Sequence, residues 1–241
     1  MKCLILAAGY ATRLYPLTEN FPKPLLTVGD KTILDWLIED IDRSGMIDEY
    51  IVISNGRFAS VFEEWAPDRV RVVNDNTFSN ETRLGAVKDI QFAIDALGID
   101  DDIMVIAGDN LLDFSLCRFI DYYKEKKASC VMRFYEVDDN KLLKCGVVSV
   151  DTDDRITEMT EKSPTPATHW VCPPFYIYTR EDAGRISEAL EDGCGYDAPG
   201  SLVAWLCKHG EVYAMEMPGN RYDIGNLESY NKVKQEYKGI K

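Results

Sequence analysis

The chain has 241 residues, of which 46% are hydrophobic and 28% charged, and a formal net charge of −14. An acidic body of this kind repels nucleic-acid phosphates and anionic membranes, and no apolar run reaches the ~20 residues of a spanning helix. Neither nucleic acid nor a membrane is therefore expected as a partner.

The length suits one large α/β domain, or one domain with a small lobe. Seven cysteines (Cys3, Cys117, Cys130, Cys145, Cys172, Cys194 and Cys207) form no C-x-x-C pair, and several lie in apolar runs where a free thiol behaves as a small hydrophobe. No leader-like segment precedes the first strand signal, so a reducing cytoplasm is the expected location. His169 and His209 are not interleaved with cysteines at ligand spacing, so no zinc site is expected.

The run Cys3 to Ala8 reads as a buried strand, followed by the turn Gly9-Tyr10-Ala11-Thr12-Arg13 and a loop holding Pro16, Pro22, Lys23 and Pro24. Apolar residues at Ile33, Leu34, Leu37, Ile38 and Ile41 give helix spacing over 32–44, ended by Gly45. A β-branched strand is predicted over 50–54, a helix over 56–65 and a strand over 70–74. A helix over 82–97 follows, then a strand over 103–107 that runs into Gly108-Asp109-Asn110, and a helix over 116–127. This alternation of apolar strands and helices predicts a parallel sheet covered on both faces. The second half reads differently, as hairpin-like strands over 130–137, 146–150, 155–160 and 170–178. Helices over 180–190 and 200–209, a strand over 212–217 and a helix over 227–237 complete the chain. No composition break divides it, so a single domain over 1–241 is expected, read as two halves, 1–128 and 129–241.

In an open α/β sheet, ligands sit beyond the carboxyl ends of the strands. The opening loop, the segment 74–85 and Gly108-Asp109 all fall there. A strand ending in small residues lets a ligand approach the backbone, free N–H groups in such a turn suit an anion, and Arg13 and Lys23 add two cations. A polyphosphate site is the reading, with Leu6, Ala8, Gly9, Tyr10, Ala11 and Thr12 around it. The patterns G-x-G-x-x-G and G-x-x-x-x-G-K-[ST] are both absent, which argues against a dinucleotide-dependent oxidoreductase and a P-loop. Asp109 and Asp223 could supply the two carboxylates of one Mg²⁺, although either could equally be a turn aspartate. Asn80 and Thr82 could cap the helix that follows, contact a ligand, or both. Gly146 could admit a substrate or mark a bulge, and Glu161-Lys162 could be an exposed hairpin end. Trp36, Trp65, Trp170 and Trp205 read as core, and neither histidine has a nucleophile partner at a recognisable spacing.

The run Leu6-Ala7-Ala8-Gly9-Tyr10-Ala11-Thr12-Arg13-Leu14-Tyr15-Pro16-Leu17-Thr18 with Pro22-Lys23-Pro24-Leu25-Leu26 resembles the signature of sugar-1-phosphate nucleotidylyltransferases, nearest to the glucose-1-phosphate thymidylyl- and uridylyltransferases. Gly108-Asp109, Gly146-Val147-Val148, Glu161-Lys162 and Asp223-Ile224-Gly225 continue the resemblance in the same order. It implies a Rossmann-like, three-layer α/β fold with a mixed, mainly parallel sheet. It also implies transfer of a nucleoside monophosphate from dTTP or UTP to a sugar 1-phosphate. Arg13 and Lys23 would then be catalytic, binding the triphosphate. Gly9 and Gly85 would touch the base through the backbone, with Asn80 and Asp109 also on the nucleotide. Asp109 and Asp223 would hold Mg²⁺, and Gly146, Glu161 and Lys162 would face the acceptor.

The sequence departs from the family pattern at Ala11, at Ser163, at Cys172-Pro173-Pro174 and over Asn80-Glu81-Thr82-Arg83. A cytidylyltransferase of phosphocholine-like acceptors and a non-catalytic nucleotide or sugar-phosphate sensor remain as alternatives. The oligomeric state stays open, a homo-oligomer included.

Overall fold

The structure, a computed structural model, describes residues 1–241. The chain forms two compact units: one of Met1–Arg83, Ala107–Arg118 and Pro218–Lys241, the other of Leu84–Ile106 and Phe119–Met217. These units are not the halves 1–128 and 129–241: residues 84–106 go with the later strands and 218–241 with the opening strand.

The first unit is built on three parallel strands, Lys2–Leu6, Glu49–Ser54 and Val70–Asn74, with the middle one paired to both others. Their continuous apolar character has the expected cause. Cys3, Leu4, Ile5 and Tyr50 to Ile53 are all fully buried, as strands covered on both faces must be. The helix Ile33–Asp42 starts at a capping box. Thr32 Oγ1 accepts from the Asp35 N–H at 3.0 Å, and Asp35 Oδ2 accepts from the Thr32 N–H at 3.0 Å. Its apolar stripe, Ile33, Leu34, Leu37, Ile38 and Ile41, is buried as the spacing predicts. The closing helix Leu227–Glu236 is capped in the same manner by Asn226 and Ser229.

Two short pairings in this unit had no sequence signal. One is the hairpin of Thr27–Val28 with Lys31–Thr32. The other joins Asn110–Leu112 to Arg221–Asp223 in an antiparallel ladder, where the sequence suggested only turns. Segments of three residues carry too little periodicity to be read locally, and this ladder unites chain positions more than a hundred residues apart.

In the second unit the strands run in the order Ile156–Glu161, Gly146–Val150, Trp170–Val171, Ser129–Tyr135, Phe175–Tyr178, Ile103–Ala107. All these neighbours are antiparallel, and Val212–Glu216 alone runs parallel, beside Ser129–Tyr135. Together with the two parallel pairings of the first unit, this makes the sheet mixed. Expected elements break at identifiable residues. The run 170–178 divides at Pro173-Pro174, which cannot donate to a ladder. The helix over 180–190 divides at Gly184-Arg185. The helix expected from residue 82 begins only at Ala86, after Gly85 at φ +93°. No helix is long and apolar enough to cross a membrane.

Candidate active site

At the carboxyl end of the strand Lys2–Leu6 lies a cavity of about 400 Å³, lined by Leu6, Gly9, Ala11, Thr12, Arg13, Lys23, Asp109 and Asp223 among others. All eight were expected at the site from the sequence. They reach it by different routes. Gly9 is exposed, and a Cβ there would meet no protein atom within 4 Å, so the surface beside it stays open. Ala11 sits in the left-handed region at φ 45°, ψ 40°, which costs an L-residue roughly 1–2 kcal/mol. Its carbonyl is gripped twice, by the Leu14 N–H at 2.9 Å and by the Thr18 hydroxyl at 2.8 Å. That grip explains how alanine stands where the family signature has glycine. The 3₁₀ turn Thr12–Leu14 then points Arg13 outward and buries Leu14.

Lys23 comes from a second 3₁₀ turn, Lys23–Leu25, between two prolines. It is only 7% exposed, and its Nζ donates to Asp109 Oδ2 at 2.8 Å. Asp109 Oδ1 accepts from Asn110 Nδ2 at 2.8 Å. Asp223 is exposed and ends the strand Arg221–Asp223, directly across the ladder from Asn110. Gly108 is fixed by packing, since a Cβ there would press on Ile5, Leu34 and Pro24 at 3.0–3.4 Å.

Four of the expected nucleotide residues, Ala8, Tyr10, Asn80 and Gly85, do not line this cavity. Ala8 and Tyr10 turn inward: the Ala8 carbonyl accepts from Asn55 Nδ2 at 2.9 Å, and the Tyr10 ring packs near Phe58. Asn80 is exposed and accepts from Arg83, while Thr82 bonds back to Ser79. Neither caps the following helix, whose N-cap position is Gly85 without any side-chain bond. Gly85 itself is dictated by the protein. A Cβ there would lie 2.7 Å from the Tyr196 carbonyl oxygen and 2.9 Å from the Asp197 Cα.

The expected acceptor residues gather in the second unit. Glu161 and Gly146 face each other across the antiparallel ladder. A Cβ on Gly146 would lie 2.8 Å from Glu161 Oε1, and one on Gly200 would overlap the same oxygen and Met159 Cε. Burial pushes the Glu161 carboxyl above its usual range, with Lys162 and the Gly200 N–H pulling the other way. Lys162 is exposed, at φ 50°, with its Nζ 4.0 Å from Asp197 Oδ2. All seven cysteines are free, and burial pushes the thiols of Cys3, Cys130, Cys172, Cys194 and Cys207 up. None of these five is an activated nucleophile.

The donor set on the first cavity fits a hard divalent cation. Two carboxylates, Asp109 and Asp223, line it. Mg²⁺ is commonly held in just this way, by one or two carboxylates plus phosphate and water oxygens. Sequence reading missed Asn55, Thr18, Asn110 and Arg221. The one local hint was Asn110, a polar residue placed between Asp109 and the apolar pair Leu111-Leu112.

The model of the nucleotidyl transferase family matches residues 2–239. The chain belongs to this family. Among its relatives in the nucleotidyl transferase family, UTP–glucose-1-phosphate uridylyltransferase of Haloferax volcanii is 27% identical over 236 residues, covering 98% of this chain and 96% of the relative. Glucose-1-phosphate adenylyltransferase of Fervidobacterium nodosum is 24% identical over 245 residues, covering 94% of this chain and 59% of the relative. Mannose-1-phosphate guanylyltransferase of Mycobacterium tuberculosis is 27% identical over 232 residues, covering 95% and 62%. The chain thus spans about three-fifths of the length of several relatives it matches. In solved structures, UDP-glucose pyrophosphorylase with UDP-glucose superposes with a TM-score of 0.82 at 20% identity, covering 98% of this chain and 97% of that one. The fold of this chain is therefore the mixed α/β sheet with helices expected from its sequence.

Proposed function

We propose that the protein transfers a nucleoside monophosphate from a nucleoside triphosphate to a sugar 1-phosphate, releasing pyrophosphate and forming a nucleotide sugar. The observation that carries this reading is the convergence of Arg13, Lys23, Asp109 and Asp223 on one cavity. The relatives support a sugar-phosphate acceptor, since their names pair one with UTP, adenylyl or guanylyl transfer. Among bases, dTTP or UTP is favoured by the resemblance of the opening signature, and a cytoplasmic enzyme is proposed.

An oxygen of the acceptor phosphate forms a bond to the α-phosphorus of the triphosphate. The bond from that phosphorus to the β-phosphate oxygen breaks in line with it, and the leaving electron pair departs on pyrophosphate. A phosphate monoester is already a nucleophile, so no serine, cysteine or general base is required. The obstacle is charge, because two anions must meet, and catalysis becomes positioning plus electrostatic neutralisation. The exposed Arg13 presents a planar fork to phosphate oxygens, and Lys23, held in place by Asp109, offers a point charge. Mg²⁺, held by Asp109 and Asp223, would neutralise phosphate charge when bound. In the second unit, Glu161 accepts hydrogen bonds from acceptor hydroxyls, and Lys162 meets the acceptor phosphate.

The test is pyrophosphate release with Mg²⁺ across dTTP, UTP, CTP, GTP and ATP, each crossed with hexose 1-phosphates and phosphocholine. Turnover with a hexose 1-phosphate is expected. Turnover only with CTP and phosphocholine would move the protein to cytidylyl transfer, and silence from every pair would leave a sensor.

A further inference from the structure

The carboxylate of Asp109 is held at both oxygens, and the second grip is the end of a longer line. Arg221 Nη1 donates to Asn110 Oδ1 at 2.6 Å, and Asn110 Nδ2 donates to Asp109 Oδ1 at 2.8 Å. Lys23 closes the other side at Oδ2. Asn110 is 1% exposed, so solvent does not compete for its amide.

The polarity of this line admits one arrangement. A carboxylate only accepts hydrogen bonds and a guanidinium only donates them. A primary amide placed between the two satisfies both, with its NH₂ toward Asp109 and its oxygen toward Arg221. The flip that is ambiguous for most asparagines is fixed here by the partners. The ladder supplies the geometry. Asp223 lies opposite Asn110 and Arg221 opposite Leu112. Residues two apart on a strand share a face, and directly opposed residues do too. Arg221, Asp223 and Asn110 therefore occupy one face of the two-stranded pairing, and Arg221 reaches Asn110 along the diagonal. Each Asp109 oxygen has two lone-pair directions, of which the line and Lys23 take one apiece. The remaining directions stay available to a cation.

We infer that Asn110 and Arg221 are positioning residues: together they fix the plane of the Asp109 carboxylate and tie it to the strand that presents Asp223. This rests on the proposed metal-assisted nucleotidyl transfer. Without the line, Asp109 keeps only the Lys23 bond and rotates with that long side chain. Outer partners of a metal-ligating group typically tune affinity or activity 10–100-fold.

The experiment measures Mn²⁺ bound to the full-length protein in the presence of inorganic tripolyphosphate, by water-proton relaxation, beside pyrophosphate release. Asn110→Ala is expected to weaken Mn²⁺ binding about 10–100-fold, and Arg221→Met about tenfold or less. The double variant should be no worse than Asn110→Ala in Mn²⁺ binding, because Arg221 stands behind Asn110 on one line and residues in series are non-additive. Wild-type Mn²⁺ binding in either folded variant, or multiplying losses in the double variant, would overturn the inference. Should Asn110→Ala fail to fold, the partly exposed Arg221→Met carries the test alone. A wild-type protein that binds Mn²⁺ but releases no pyrophosphate with any substrate pair would sink the proposed function and leave this measurement readable.

Discussion

The two units handle a carboxylate in opposite ways. In the first, Asp109 is partly exposed and ion-paired to a nearly buried lysine, beside an exposed Asp223 and an exposed Arg13. Charges are numerous there, and the cavity is open to a charged ligand. In the second, Glu161 is pressed between two glycines and desolvated, and its anion is disfavoured. The first arrangement suits a triphosphate and a cation, whose charge must be met. The second suits a single directional contact with neutral hydroxyls, where desolvation strengthens a hydrogen bond. The lesson is that side chains of one chemical type acquire different work from the backbone around them. A left-handed Ala11 and two 3₁₀ turns gather cations in one unit, whereas glycines make room in the other.

Removing charge from the first unit has the largest expected effect. Asp109→Ala and Arg13→Ala are each expected to lower turnover by about two orders of magnitude or more, the scale of losing one key electrostatic group. Pyrophosphate release by the folded variants checks this, and near-wild-type rates would remove these residues from the site. Gly85→Ala tests the backbone of the second unit. The residue adopts φ +93°, ψ 154°, a region essentially confined to glycine and costing of order 1–3 kcal/mol, and the new methyl meets backbone atoms that cannot turn aside. Urea unfolding should show a loss of about 2–4 kcal/mol, with strain and overpacking combined.

A milder probe is Gly200→Ala, which drives a methyl against the Glu161 carboxylate and Met159. Both are ends of flexible side chains, so the fold survives while Glu161 is displaced. The expected result is a KM for the acceptor raised about tenfold, from roughly 1–3 kcal/mol of overpacking shared between strain and displacement. The KM for the triphosphate should be unchanged; equal changes in both would show that Glu161 does not serve the acceptor.

The smallest effect concerns pH. Because the folded-state pKa of Glu161 is raised, the folded protein keeps a proton that the unfolded chain has already released. Stability is therefore lost as pH rises from the ordinary glutamate value through the raised one. Glu161→Gln removes that loss. Its Tm should match the wild type in acid and exceed it at neutral pH by a few degrees, at about 2–4 °C per kcal/mol for a chain of this size. Calorimetry at two pH values checks the sign, and a variant less stable at neutral pH than in acid, relative to wild type, would show that the carboxylate is welcome where it lies. Activity should fall in the same variant, so that stability and function separate at one residue.

The features legible before folding lie in runs of local pattern. Apolar strands such as Cys3 to Ile5 and Tyr50 to Ile53, the stripe from Ile33 to Ile41 and the signature from Leu6 to Lys23 are legible because their physics is set by neighbours within a turn or a strand. Asp109 and Asp223 were legible as a candidate pair from their places after strands, and the resemblance strengthened a reading in which each aspartate alone is an ordinary turn residue. The tertiary structure decided the rest. It turned Ala8 and Tyr10 inward, set Gly85 against Tyr196 and Asp197, and joined Asn110–Leu112 to Arg221–Asp223. Those contacts span about fifty positions for Ala8 and Tyr10 and more than a hundred for the others. No local propensity encodes them, because the energy that selects them is burial and hydrogen bonding between segments that meet only once the chain is folded.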